Sequence, residues 1–157
     1  MRNLLISAHT PSPNTLTLSE ALREGVYDDG YSGVIDDLNI VYKSHFDTTP
    51  DDIRRCDGLI LLTTENFGYM SGALKDLFDR CYYPLLDTKR GLPYCLVIRG
   101  GQDGTGAKRS AESIISGLGW KASQEPLILK GAFDSAFCLQ IREYGQTFSL
   151  GLAAGIY

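Results

Sequence analysis

The chain contains no long apolar run and no cluster of basic residues, and each absence excludes a class of protein. Its 157 residues carry 15 Lys or Arg against 19 Asp or Glu, which gives a formal net charge of −4. The basic residues are scattered, which argues against a nucleic-acid-binding or membrane-surface protein. No apolar run approaches the roughly 20 residues that cross a bilayer, and the apolar stretch at 4–6 is too short for a signal peptide. We therefore expect a cytoplasmic protein.

Patterns for metal binding and disulfide bonding are also missing. The four cysteines and two histidines include no Cys-x-x-Cys pair and no histidine at metal-ligand spacing from a cysteine. We expect small apolar thiols in a reduced compartment. No motif places a Ser-His-Asp or Cys-His set. The sequence therefore predicts neither a metal ligand nor a catalytic side chain.

Short apolar runs alternate with amphipathic stretches along the chain. The runs that predict buried strands occupy 4–6, 34–41, 58–62, 94–98 and 126–129. The stretches that predict helices or helical turns occupy 14–27, 51–55, 71–82, 107–118 and 133–148. The length suits a single domain spanning 1–157. The alternation predicts a doubly wound α/β fold with a five-stranded parallel sheet and helices on both faces.

Polar loops follow three of the predicted strands. They occupy 7–15, 63–71 and 99–106. In open parallel sheets, ligands bind outside the carboxyl ends of the strands. All three loops belong to that edge, so the sequence predicts one ligand site built from them.

The first loop offers neutral hydrogen-bond donors just before a helix. Ser7, Thr10, Ser12 and Thr15 carry hydroxyls and Asn14 carries an amide, while the lysine of a Walker loop is absent. Together with the N–H groups of a helix N-terminus, such donors suit one phosphate monoester without a metal ion. Ordinary helix capping by Asn14 and Thr15 is the alternative.

The two histidines differ in their surroundings. His9 belongs to the first loop, where it either bonds a phosphate or substrate or is a loop residue without such a role. His45 falls in a predicted loop and has no evident partner in the sequence.

The second and third loops combine flat, polar and flexible groups. In the second loop, Phe67 and Tyr69 could lie against a flat ring, and Glu65 and Asn66 could bond the polar edge of that ring. The alternative is an ordinary turn whose aromatic residues belong to the core. The third loop has four glycines, which let the backbone approach a ligand closely. Its spacing does not match the Gly-x-Gly-x-x-Gly pattern of nicotinamide-binding folds.

These motifs resemble a family of flavin enzymes. The stretch 64–75 is similar to the flavin-ring loop and following helix of the NAD(P)H-dependent FMN reductase and quinone reductase family, which includes the tryptophan-repressor-binding-protein-like enzymes. The Phe-Gly-x-Met-Ser-Gly core of their loop corresponds to 67–72 here. The stretch 12–15 resembles their phosphate loop, and 100–103 resembles their last flavin loop. The resemblance covers about residues 3–130 and implies a flavodoxin-like fold.

The resemblance also implies FMN as the cofactor and assigns residues to it. Those around the phosphate are Ser7, His9, Ser12, Asn14 and Thr15, with Thr10 in the same loop. Those bordering the isoalloxazine are Thr64, Glu65, Asn66, Phe67 and Gly68, and those closing its other side are Gly100, Gly101 and Asp103. The first loop departs from the family pattern, since it is longer, contains two prolines and has Ala8-His9 in place of the usual basic residue.

The activity implied by the resemblance is hydride transfer through the flavin. NADH or NADPH would reduce FMN, and a quinone or similar small acceptor would reoxidise it. Enzymes of this group are often dimers or tetramers, and the apolar tail 150–157 suits either such a contact or packing on its own domain. Two alternatives stay open. The first is a flavodoxin-type electron carrier without a nicotinamide site, although such carriers are usually far more acidic. The second is a scaffold domain that binds no flavin.

Overall fold

Seven strands and five helices alternate along the chain in the computed structural model, which describes residues 1–28, 30 and 35–157. The strands are β1 (Arg2–Ala8), β2 (Leu38–Ser44), β3 (Gly58–Asn66), β4 (Tyr69–Met70), β5 (Pro93–Gly100), β6 (Lys121–Ala122) and β7 (Leu127–Lys130). The helices are α1 (Pro13–Tyr27), α2 (Pro50–Arg55), α3 (Gly72–Leu85), α4 (Thr105–Leu118) and α5 (Ala136–Ala153), and a short 3-10 turn covers Ile35–Asp37.

The sheet has five strand positions, and the strands at neighbouring positions pair in parallel. Its order is β2-β1-β3-β5, and β6 and β7 share the fifth place, since both pair with β5 at different heights. The remaining strand, β4, pairs antiparallel with the end of β3. This arrangement, with helices on both faces, confirms the predicted fold class.

Strand alternation divides the core into two layers. Leu59 and Leu61 pack into the cluster that contains the buried faces of α3 and α4. Ile60 and Leu62 point the other way, into the cluster of α1 and α5. Because both faces are covered, the central strands are apolar along their length, and burying each large side chain stabilises the fold by about 1.5–3 kcal/mol.

Helix boundaries follow from local capping. The Ser71 hydroxyl accepts from the Leu74 N–H at the start of α3, and Thr49 and Asp52 form a reciprocal capping box at the start of α2. Gly119 ends α4 in the left-handed conformation with φ 71°.

The second strand lies later in the chain than predicted. The prediction of 34–41 is wrong over 35–37, which form a 3-10 turn, and at its end, because β2 covers Leu38–Ser44; Val34 falls outside the described residues. Asp36 and Asp37 favour the turn, since aspartate is depleted in strands. Pairing with β1 then extends the strand to Ser44, opposite Ala8.

The C-terminal tail packs on its own domain. The Tyr157 ring stacks on Phe148 with centroids 5.5 Å apart. The Arg2 guanidinium donates to the Leu152 carbonyl at 2.7 Å and to the Tyr157 carbonyl at 3.3 Å. Among the described residues, no helix has the length and apolar character needed to span a membrane.

Candidate functional site

The three predicted loops lie at one edge of the sheet and follow three neighbouring strands. β3 lies between β1 and β5, so the loops after these strands are adjacent in space. The structure brings the predicted site residues of the three loops to the carboxyl edge of the sheet, where ligands of open α/β sheets bind.

Ser7 lies beneath the first loop rather than in it. Its side chain is fully buried, and its hydroxyl is 2.7 Å from His45 Nδ1 and 2.8 Å from Thr48 Oγ1. His45, which has no evident partner in the sequence, therefore has one in the fold. The segment after β2 thus supports the first loop from below, a contact between residues 38 positions apart that local sequence patterns do not report.

Arg80 of α3 holds this supporting segment in place. Its guanidinium donates to the His45 and Thr48 carbonyls, each at 2.7 Å. Burial, with a smaller contribution from His9, lowers the pKa of His45 to about 3. Its Nε2 has no hydrogen-bond partner in the part of the chain that the structure describes. The segment is therefore built around a neutral imidazole.

The side chains of Ser12 and Thr15 cap the N-terminus of α1. The Ser12 N–H donates to Thr15 Oγ1 at 3.0 Å, and the Thr15 N–H donates to Ser12 Oγ at 3.2 Å. Pro11 and Pro13 supply no N–H. Helix capping, the expected alternative, is therefore present, but Ser12 rather than Asn14 is the N-cap. Asn14 is exposed beside it and has no such bond among the described contacts.

His9 is the ionisable residue of the first loop. Its backbone N–H donates to the Leu62 carbonyl at 2.9 Å, which anchors it to β3. Its ring stacks on His45, with centroids 6.4 Å apart, and meets Phe46 edge-on at 6.5 Å. Partial burial lowers the pKa of His9. Thr10, next in the chain, is partly exposed.

The second loop is a β-hairpin instead of an irregular loop. β3 continues past the predicted end at 62 as far as Asn66, and Glu65 and Asn66 pair with Met70 and Tyr69 of β4. At its base, the Thr63 hydroxyl lies 2.9 Å from the Ser71 hydroxyl. Backbone pairing across two residues is not visible in the composition of the segment, which explains why the sequence predicts only a loop.

The tip of the hairpin presents an aromatic ring to solvent. Phe67 is fully exposed and has φ 55°, a left-handed conformation that is unfavourable for a bulky residue. Gly68 follows with φ 68°. Below the tip, the Thr64 hydroxyl bonds the Asn66 amide oxygen at 2.6 Å. A strained, exposed aromatic residue is of the kind that clusters at ligand sites.

A cavity of about 600 Å³ lies between the hairpin and the third loop. Its lining residues are Glu65, Phe67, Gly68, Gly101 and Gln102. Its volume falls in the range of small-ligand pockets. Gln102 is absent from the sequence-based set, although it lies between two residues of that set.

The third loop approaches the cavity through its backbone. Gly100 is buried and a Cβ there would lie 3.0 Å from Glu65 Oε1, whereas a Cβ on Gly101 would meet nothing within 4 Å. Asp103 points away and accepts from the Thr105 N–H at 3.1 Å and from its hydroxyl at 2.8 Å. These bonds from Thr105 lower the pKa of Asp103, and they tie Asp103 to the first residue of α4, whose N-cap is Gly104.

Comparison with solved structures identifies the fold. A flavodoxin from the domain Archaea superposes with a TM-score of 0.74 and 12% identity over 96% of this chain and 98% of that one. The NADH:FMN oxidoreductase EMOB, in its apo form, gives 0.69 and 16% over 96% and 90%. The WrbA-like flavodoxin from Agrobacterium tumefaciens gives 0.68 and 12% over 99% of both chains. No protein-family model and no curated protein sequence matches. The chain has the flavodoxin-like fold.

Proposed function

We propose that this protein binds FMN at the carboxyl edge of its sheet and uses it to transfer electrons, as hydride from NADH or NADPH, to a quinone or similar small acceptor. The observation that carries the proposal is that three loops, from three neighbouring strands, meet at one edge of the sheet, with a cavity between the second and the third of them. Solved structures of the same fold include proteins named as flavodoxins and as an NADH:FMN oxidoreductase, which supports a flavin cofactor.

The cavity suits a flat ring with a polar edge. Phe67 offers an aromatic surface, and Glu65 and Gln102 offer polar groups. The absence of a side chain at Gly101 leaves open space beside them, since a Cβ there would meet no atom within 4 Å. A few polar groups that fix the orientation of a ligand beside an apolar surface are a common feature of cofactor sites.

The first loop suits the phosphate of the same cofactor. Ser12, Asn14 and Thr15 stand at the N-terminus of a 15-residue helix, where the helix dipole and neutral donors favour an anion. Thr10 and His9 flank them. Ser7 would act indirectly in this arrangement, because its hydroxyl holds the segment under the loop.

The bound flavin would supply the redox chemistry, and the side chains would bind and orient it. Asn66 and Thr64 would fix the hairpin at the ring edge through their mutual bond. Asp103 would act indirectly, through its bonds with Thr105 at the start of α4. A homodimer or tetramer belongs to the same proposal, with the neighbouring subunit completing the open side of the cavity.

A second candidate function is electron transfer without a nicotinamide site. The chain matches nearly the whole length of an archaeal flavodoxin, 96% of one and 98% of the other. That size leaves little chain beyond a carrier's own fold. This candidate predicts that NADH and NADPH leave the bound flavin oxidised, whereas dithionite reduces it.

The test is a fluorescence titration of FMN with the purified protein, followed by anaerobic addition of NADPH or NADH. Saturable quenching and bleaching of the flavin bands, with recovery on adding a soluble benzoquinone, would support the oxidoreductase. Bleaching by dithionite alone would support the carrier. No FMN binding would contradict both and favour the flavin-free scaffold.

A blocked-cavity variant makes the test specific to this site. Gly101→Leu places a side chain beside the cavity where a Cβ meets no atom within 4 Å, so the fold should persist. We expect its FMN affinity to fall by about tenfold or more, the loss of about 1.4 kcal/mol of binding energy. Ala122→Leu, on the exposed strand β6, is the matched control and should bind FMN as the wild type does.

A further inference from the structure

Arg80 of α3 uses each nitrogen of its guanidinium in a separate hydrogen bond. Nε donates to Asp76 Oδ2 at 2.8 Å, Nη1 to the Thr48 carbonyl at 2.7 Å and Nη2 to the His45 carbonyl at 2.7 Å. His45 and Thr48 are fully buried, where a carbonyl without a partner costs free energy. The fixed fork of a guanidinium can serve all three acceptors, whereas the single ammonium of a lysine cannot hold this geometry.

The two carbonyls belong to residues that lie directly beneath Ser7. The Ser7 hydroxyl is 2.7 Å from His45 Nδ1 and 2.8 Å from Thr48 Oγ1. The His45 N–H also donates to the Ala8 carbonyl at 3.3 Å, and the His9 ring stacks on the His45 ring with centroids 6.4 Å apart. A chain of contacts therefore runs from the guanidinium, through the segment 45–48, to the first loop.

The first loop has few backbone donors to offer an anion. Its two prolines have no N–H, and the N–H groups of Ser12 and Thr15 are bonded within the α1 cap. The N–H groups of Thr10 and Asn14 donate to none of the described residues. Because hydrogen bonds weaken steeply with poor alignment, the affinity of this loop for a phosphate depends on how its remaining donors are aimed.

We propose that Arg80 is a positioning residue for the phosphate of the bound flavin. It holds the segment 45–48 under the first loop and thereby aims the remaining donors of that loop at the phosphate. The inference rests on the proposed function. Its described bonds reach no residue of the first loop itself, so Arg80 acts only through the segment. It contributes to the affinity for FMN and not to the affinity for riboflavin, since riboflavin has the same ring and no phosphate.

The test compares FMN and riboflavin as ligands of Arg80→Lys. Lysine keeps the positive charge beside Asp76 but cannot bond both carbonyls and the carboxylate together. We expect the affinity for FMN to fall by about tenfold, the loss of about 1.4 kcal/mol of binding energy, and that for riboflavin to change by less than about twofold. Quenching of flavin fluorescence measures both affinities. A residue that served the fold alone would not change one affinity without the other.

Arg142→Lys is the matched control. Arg142 also joins two helices, because it extends from α5 to Glu24 and Asp28. Those residues lie at the end of α1 opposite the first loop. This variant should bind FMN and riboflavin as the wild type does.

Asp76→Asn decides the question if Arg80→Lys does not fold. It leaves Arg80 in place and removes the charge that orients the guanidinium, at a partly exposed position. We expect the affinity for FMN to fall by about threefold and that for riboflavin to stay the same. If the folded variants bind both flavins as the wild type does, or lose both affinities equally, this inference is overturned and the proposed function stands. If the wild type binds no FMN, both are overturned.

Discussion

Gly106 and Gly68 touch through their backbones, so that a Cβ on Gly106 would lie only 1.8 Å from the Gly68 carbonyl oxygen. This contact packs the tip of the β3–β4 hairpin against the first turn of α4. The Met70 N–H adds a second contact between the hairpin and the helix by donating to the Ser110 hydroxyl at 3.1 Å. The position of the cavity wall therefore depends on a residue that lies outside the cavity.

Replacing Gly106 should displace the hairpin. Gly106→Ala forces a methyl group against backbone, and overpacking of this kind typically destabilises a fold by about 1–3 kcal/mol. Urea unfolding measures the loss. Gly101→Ala is the matched control, because a Cβ there meets nothing within 4 Å. Equal stability of the two variants would show that the hairpin adjusts without strain.

Phe67 should be dispensable for folding. Its ring is fully exposed and its φ is 55°, so Phe67→Gly removes backbone strain and loses no packing. The gain of about 1 kcal/mol or more from relieving a left-handed residue is offset by the added freedom of the unfolded chain. We expect the free energy of unfolding to change by less than about 1 kcal/mol, while FMN binding weakens. A large loss of stability would mean that the ring packs in solution.

The buried imidazole should make the protein sensitive to acid. The pKa of His45 is lowered by burial from 6.5 to about 3. Below pH 6.5 the unfolded chain binds a proton that the folded chain does not, so stability is full above 6.5 and falls as the pH decreases toward about 3. The loss is up to about 1.4 kcal/mol per pH unit.

Urea unfolding at about pH 7 and about pH 5 measures this dependence, with an expected loss from His45 of about 2 kcal/mol. His45→Gln should lose less between the two pH values than the wild type does. Because the variant retains His9 and the carboxylates, its remaining pH dependence reports those groups. The same slope in both proteins would contradict the assignment.

Thiol reactivity should separate the cysteines. Burial raises the pKa of Cys56 to about 12 and that of Cys81 to about 11, and it raises the pKa of Cys95 as well. Cys138 is partly exposed on α5. Since the thiolate is the reactive form, iodoacetamide should label Cys138 first, as detected by mass spectrometry. Labelling of Cys95 in the folded protein at a similar rate would contradict its burial.

Local patterns in the sequence were sufficient for the fold class and for most of its elements. Apolar runs such as 58–62 and helical periodicity such as 107–118 reflect burial on the two faces of a sheet, and this depends mainly on neighbouring residues. The predicted strand at 34–41 shifted because pairing with β1, a partner distant in the chain, determined where β2 ends.

The sequence by itself determined that this chain is an α/β domain with three polar loops at one edge of its sheet, because periodicity and turn residues act over a few positions. Only the tertiary structure decided that His45 lies beneath Ser7, that Gly106 seats the hairpin and that Gly100 makes room for the Glu65 carboxylate. These relationships join residues up to 38 positions apart, and they arise only when crossovers bring distant strands side by side.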